Sequence, residues 1–297
     1  MWGLLDLVIC EFAKLKRLKF VQLSILAAFL FPIPITFFMY ADGMTFDHLF
    51  RANFMYGSLL LLPCVLGIVA SMLFFMERDN ETLKNLVTIP VSRESIVLAK
   101  LAVIIILSIV YSVANLFVSI LGGLIVSGVE DILYRLLISI LLGILIGIAA
   151  LPIILVIVYF NKSFIFSIIV SFLYASTGFA ITLFFSASPE SINAVASILP
   201  ISIVFKWYLT LFPVEEAFSY VLPYTSSTLE TFIIMVIYAV VFVSLSAIVY
   251  KKMKFELGDK NVSTNNNGIY KVKTTKYYLD RHYCCIYFSY FSSFPIE

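Results

Sequence analysis

The chain has 297 residues, of which 62% are hydrophobic and 13% charged, and its formal net charge is +2 at pH 7. Several apolar runs reach the roughly 20 residues that a helix needs to cross about 30 Å of hydrocarbon. A transmembrane barrel would instead show segments of about ten alternating residues. The sequence therefore predicts an all-α polytopic membrane protein, and the small net charge argues against a nucleic-acid partner.

The sequence offers no chemical site of its own. The four cysteines and two histidines have neither the spacing of a zinc site nor that of a disulfide framework, so no metal is predicted. No GxxxxGKS/T phosphate loop occurs, and we therefore expect this chain neither to bind ATP in that manner nor to act as an enzyme.

Residues 1–19 are predicted to form a cytoplasmic interfacial helix. Four apolar residues recur at helical spacing on one face: Leu4, Val8, Phe12 and Leu15. Asp6 and Arg17 lie on the opposite face. Such a helix rests on a membrane surface with its apolar side in the lipid.

Residues 20–254 are predicted to hold six transmembrane helices. Their predicted ranges are 20–41, 54–76, 96–127, 136–160, 163–187 and 231–250. With the N-terminus in the cytoplasm, twelve Lys and Arg residues, Lys100 among them, flank the spans inside, and three lie outside: Arg51, Arg135 and Lys206. This asymmetry predicts that both termini are cytoplasmic.

Two segments outside the spans need an interpretation. Residues 188–230 are apolar in the middle but contain Pro200, Lys206 and Pro213, so we predict short external helices and no seventh span. Residues 255–297 begin with an Asn-rich stretch and end in an aromatic one, and we predict a flexible cytoplasmic tail.

Two patterns of small and polar residues mark the third and fourth spans. One helix face of the third span carries Ser108, Ser112, Asn115 and Ser119. Because a polar stripe facing lipid is costly, this face is predicted to serve either interhelical packing or a substrate path. Gly143 and Gly147 allow close approach of helices, either within the chain or in a dimer.

The stretch between the second and third spans, "RDNETLKNLVTIPVSRES", is strongly polar but carries an apolar stripe. Leu83, Leu86 and Val87 lie at helical spacing, and Pro90 ends the short helix. Ser92 is placed to cap the third span. A two-turn amphipathic helix is therefore predicted on the cytoplasmic face, where a merely solvated loop would not need the apolar stripe.

The motif "ETLKNLVTIPVSR" at 81–93, followed by Lys100, resembles that of permease subunits of type-2 ABC exporters. Within them it is most similar to the branch associated with bacitracin and lantibiotic resistance or self-immunity. The resemblance covers roughly residues 1–254.

The resemblance implies a permease in the plasma membrane that pairs with itself or with a second permease and contacts membrane lipid. Two copies of a cytosolic ABC ATPase would bind ATP and Mg²⁺. The residues it implies for coupling to that ATPase are Glu81, Thr82, Leu83, Lys84, Leu86, Val87, Pro90 and Arg93. The substrate would be an amphipathic peptide.

Two other classes of protein fit part of the pattern. A membrane sensor or scaffold without transport would also need a docking helix for a cytosolic ATPase. An ion-coupled secondary transporter would need an ionisable residue inside the membrane. We expect none in the cores of spans 3 to 6.

Overall fold

The computed structural model describes residues 4–16, 19–79, 92–126, 128–160, 164–212 and 216–252. These residues form helices and short connections, with no strand among them. The helices belong to one compact unit, Met1–Lys251. The predicted tail, 255–297, lies outside the described residues.

Twelve α-helices follow one another in the described part, numbered here in chain order. They are α1 (Leu4–Lys16), α2 (Lys19–Leu30), α3 (Pro32–Ala41), α4 (Phe46–Ala52), α5 (Leu62–Asp79), α6 (Arg93–Val126), α7 (Ile132–Ala149), α8 (Leu151–Tyr159), α9 (Phe164–Ala187), α10 (Pro189–Ala196), α11 (Pro200–Tyr208) and α12 (Thr228–Lys252). A π-helix, Asn53–Leu61, joins α4 to α5, and a 3-10 helix, Glu216–Tyr224, precedes α12.

Six stretches are long and apolar enough to cross a membrane, which confirms the predicted all-α, six-span fold. They are Lys19–Ala41, Phe46–Phe75, Glu94–Val126, Ile132–Tyr159, Phe164–Ala187 and Thr228–Tyr250, called spans 1 to 6 below. Span 2 begins at Phe46 and not at residue 54, because α4 and the π-helix run into α5 without a break. Span 4 is divided at Ala150, two residues before Pro152, which lacks the N–H group that a continuous helix needs there.

Spans 2, 3 and 4 form the core of the bundle. In each of them 61% of the most apolar stretch is buried, against 22% in spans 1 and 5 and 11% in span 6. Span 3 packs most extensively on span 4, span 1 lies against span 3, and span 5 lies against span 2. Large apolar side chains such as Phe37, Phe172 and Val240 point outward, as expected of helices surrounded by hydrocarbon.

Helix α1 buries its Glu11 edge against the protein and leaves much of the predicted apolar face exposed. Leu15 is buried against the protein together with Glu11, whereas Leu4 and Phe12 are exposed. The helix is thus rotated toward its Glu11 edge, because it packs on the start of span 3, where a buried lysine meets that carboxylate. Leu4 and Phe12 remain accessible to lipid, so the predicted interfacial role of α1 stays a prediction.

Candidate functional site

The predicted coupling helix falls on residues that the structure largely leaves undescribed. Residues 80–91 lie outside the described part, and they include Glu81, Thr82, Leu83, Lys84, Leu86, Val87 and Pro90. Arg93 is described only as the first residue of α6. The coupling role of these residues therefore stays a prediction.

Both attachment points of this segment are described. Before it, α5 runs to Asp79. After it, the Ser95 backbone N–H donates a hydrogen bond of 3.2 Å to Ser92 Oγ, so Ser92 caps span 3 as the sequence predicts. The segment thus connects two helices that both belong to the core of the bundle.

A buried ammonium group joins the two helices that flank the segment. The Lys100 side chain is 0% exposed, and its Nζ donates to the Leu73 carbonyl of span 2 at 2.8 Å and to Glu11 Oε2 at 3.1 Å. Nζ also lies 5.4 Å from the centre of the Phe74 ring. Lys14 Nζ is 2.5 Å from Glu11 Oε1. We call these five residues the Glu11–Lys100 cluster.

The charges of this cluster keep Glu11 ionised. Burial alone would raise the pKa of the Glu11 carboxyl, but the ammonium groups of Lys100 and Lys14 outweigh burial, and the pKa lies below its ordinary value. A buried carboxylate facing a buried ammonium costs desolvation on both sides, and this cost is offset only by good geometry and additional hydrogen bonds. The Leu73 carbonyl supplies one such additional bond.

Sequence reasoning did not find this cluster. By its position Lys100 counts as a cation flanking the spans, whereas the structure buries it inside span 3. Glu11 carries no motif, and its partner is 89 residues away. The available signal is a single carboxylate at the edge of an apolar helix, together with a lysine several residues inside an apolar run.

The polar stripe of span 3 faces spans 2 and 4. Ser108 Oγ donates to the Gly143 carbonyl at 2.6 Å, and Ser112 Oγ donates to the Ser139 carbonyl at 2.7 Å. Asn115 Nδ2 donates to the Asn53 carbonyl at 3.2 Å.

Asn53, which sequence reasoning also missed, completes this polar core from span 2. Its Nδ2 donates to Ser119 Oγ at 2.7 Å. Asn53 and Asn115 line a cavity of about 10 Å³, and within the described residues neither Oδ1 atom has a hydrogen-bond partner. A cavity of this size and polarity has room for one water molecule.

Gly143 and Gly147 lie against span 3 of the same chain. A Cβ atom at residue 143 would lie 2.8 Å from Ile109 Cα and 3.2 Å from the Ser108 carbonyl oxygen. At residue 147 the nearest atom would be Ser108 Cβ at 3.3 Å. The missing side chain at Gly143 is what lets the two backbones approach.

The other end of the bundle, where span 2 begins, holds a second ion pair. The Arg135 guanidinium donates to Asp47 Oδ1 and stacks over the rings of Phe46, Phe50 and Phe212, at 4.5, 5.0 and 5.4 Å from their centres. The Arg135 side chain is buried, whereas the Asp47 side chain is half-exposed. The pair lies beside Phe50, which also lines the cavity of the polar core.

The helices between spans 5 and 6 carry a third buried cation. Lys206 Nζ donates to Asn193 Oδ1 and to Ser197 Oγ, both at 2.8 Å. Burial lowers the pKa of Lys206, and the charge of Glu230 works in the opposite direction. These bonds join the end of α10 to α11.

Within the described residues no group of three or more His, Cys, Asp or Glu side chains could hold a metal ion. Together, the six spans and a polar core occupied by interhelical hydrogen bonds define a multi-pass helical membrane protein.

Comparison with known families assigns this membrane protein more narrowly. Residues 7–178 match the family described as ABC-2 family transporter protein, and the chain belongs to that family. A search among curated proteins found no match. The chain is therefore a permease of an ABC transporter, a membrane component that associates with an ATPase partner and is not the catalytic subunit.

Proposed function

We propose that this chain is the transmembrane subunit of an ATP-driven exporter that expels an amphipathic peptide antibiotic of the bacitracin or lantibiotic type. Its activity would give resistance or self-immunity. The observation that carries the transporter part of this proposal is the family match over residues 7–178, which spans the predicted coupling segment and both of its attachment points. The motif at 81–93 supports the peptide-antibiotic branch.

In this proposal the permease supplies movement and its partner supplies energy. The cytosolic ATPase binds ATP and Mg²⁺, and the 78–93 segment inserts into a groove on its surface. Closure of the ATPase dimer then pulls on α5, which precedes that segment in the chain, and on α6, which follows it. Helices in a bundle transmit such a pull because packed cores do not deform continuously.

The substrate route lies outside the polar core of a single copy. The cavity between Asn53 and Asn115 measures about 10 Å³, which is far too small for a peptide. We therefore place the substrate on the membrane-facing surface or between two permease copies, as a homodimer or a pair with a second permease. The serine stripe then serves helix packing.

The orientation can be tested by labelling. We expect both termini in the cytoplasm, because the twelve flanking cations would otherwise lie outside. In a background without native cysteines, Lys252→Cys should resist an impermeant thiol reagent in intact cells and react after lysis. A cysteine at Ser191, between spans 5 and 6, is the matched control and should react in intact cells. The reverse pattern would refute the topology.

The proposed function can be tested with the purified complex. The permease alone should hydrolyse no ATP, whereas the complex with its ATPase should hydrolyse ATP faster when a lantibiotic or bacitracin is added. If an unrelated amphiphile stimulates ATP hydrolysis and no peptide does, the exporter proposal stands and the peptide-antibiotic branch is rejected. ATP hydrolysis indifferent to every substrate would favour a sensor or scaffold, and uptake driven by an ion gradient without ATP would favour a secondary transporter.

A further inference from the structure

We propose that Lys100 and Glu11 are positioning residues for energy coupling, which make α1 and both attachment points of the coupling segment move together. This inference rests on the proposed function. It adds α1 to the moving part of the permease. One buried ammonium group would connect α1 to the two helices that flank the coupling segment.

Lys100 follows the coupling segment in the chain but bonds to a residue that precedes it. Leu73 lies on span 2 before the segment and Lys100 lies on span 3 after it, yet Lys100 Nζ and the Leu73 carbonyl oxygen are 2.8 Å apart. The same Nζ reaches Glu11 on α1 at 3.1 Å. One side chain therefore links three elements at the end of the bundle where the segment emerges.

Stability alone does not account for the pair. Replacing a buried ion pair by apolar residues of similar size is often neutral or stabilising, so packing at this site could be achieved without charge. Charged hydrogen bonds differ from apolar contacts in being short and directional. Such bonds resist sliding of α1 and span 2 along span 3, and a displacement of the coupling segment is passed to all three helices at once.

Lys14 provides a natural comparison, because its bond to the same carboxylate lies within a single helix. Its bond to Glu11 stays within α1, three residues apart, and its side chain is 25% exposed. If only the charge of Glu11 mattered, Lys14 and Lys100 would be of similar importance. If the link between elements matters, Lys100 should matter far more.

The test uses a double variant, in which Glu11→Gln and Lys100→Met are combined, and the single variant Lys14→Met for comparison. Each variant is studied as a complex with the ATPase. The double variant removes both buried charges together, so that no unpaired charge is left to prevent folding. We expect both proteins at normal levels in the membrane, with the ATPase bound and ATP hydrolysis intact. In the double variant, stimulation by peptide and resistance should fall roughly 5- to 150-fold, the range of typical coupling energies. Lys14→Met should behave as wild type.

A second measurement does not depend on the substrate. Addition of ATP should change hydrogen exchange in residues 4–16 of the wild-type complex, and this change should vanish in the double variant while the ATPase stays bound. Normal stimulation by peptide in the double variant, its failure to accumulate in the membrane, or no ATP-dependent change at α1 in wild type would each overturn the inference. A wild-type complex that no peptide stimulates, but whose α1 responds to ATP, would contradict the peptide proposal and leave the coupling role of Lys100 standing.

Discussion

Leu83→Asp should abolish both ATPase binding and antibiotic resistance while the permease still inserts at a normal level. Helix-in-groove recognition concentrates its energy in a few apolar anchors, and loss of one costs about 2 kcal/mol or more. That cost corresponds to roughly 30-fold in affinity. Aspartate should cost more than truncation, because it would bury a carboxylate without a partner.

The measurement is co-purification of the ATPase, together with the minimal inhibitory concentration of the peptide. Asn85→Asp is the matched control, since it adds the same charge two residues away on the opposite side of the predicted helix. We expect it to keep the partner. Were Leu83→Asp to keep both partner and resistance, the 78–93 segment would be a solvated loop and not a docking helix.

Gly143→Leu should separate spans 3 and 4 and destabilise the permease strongly. Even the Cβ atom would lie 2.8 Å from Ile109 Cα, a backbone atom that cannot rotate away. The hydrogen bond that Ser108 Oγ donates to the Gly143 carbonyl would be disturbed as well. Overpacking of this kind costs about 1–3 kcal/mol, and leucine should lie at the upper end.

A second test uses two smaller substitutions, Gly143→Ala and Gly147→Ala, of which Gly147→Ala is the matched control. Its Cβ atom would meet Ser108 Cβ at 3.3 Å, so a slight shift accommodates it, and alanine favours the helix by up to about 1 kcal/mol. Unfolding in detergent should therefore show Gly143→Ala less stable than Gly147→Ala. The opposite order would contradict the packing described here. Loss of dimers without loss of stability would assign the glycines to contacts between chains.

The six spans could be predicted because the bilayer imposes a length and a polarity on each helix independently of its neighbours. The cap at Ser92 was accessible for a similar reason, since it depends on residues three positions apart. The stripe from Ser108 to Ser119 was recognisable as one face because helical periodicity is local. The backbone carbonyl groups of span 4 that accept its hydrogen bonds could not be recognised from the sequence.

The Glu11–Lys100 pair and the contribution of Asn53 could not be predicted, because both depend on which helices become neighbours. The apolar spacing of α1 assigns no role to Glu11, whereas packing on span 3 buries this side chain. Asn53 precedes the apolar run from which span 2 was predicted, and only the π-helix that continues α4 into α5 brings it into the core. Contacts between distant segments of a single sequence have no local signature.

The separation of 89 positions between Glu11 and Lys100 also sets an order of events during synthesis. At 5 to 20 residues per second, the ribosome makes Lys100 roughly 5 to 20 s after Glu11. During that interval α1 has been made but its buried partner does not yet exist. The bond between Glu11 and Lys100 can therefore form only after the start of span 3 has been made. In this permease, an N-terminal helix that is translated early therefore gains its buried ion-pair partner late.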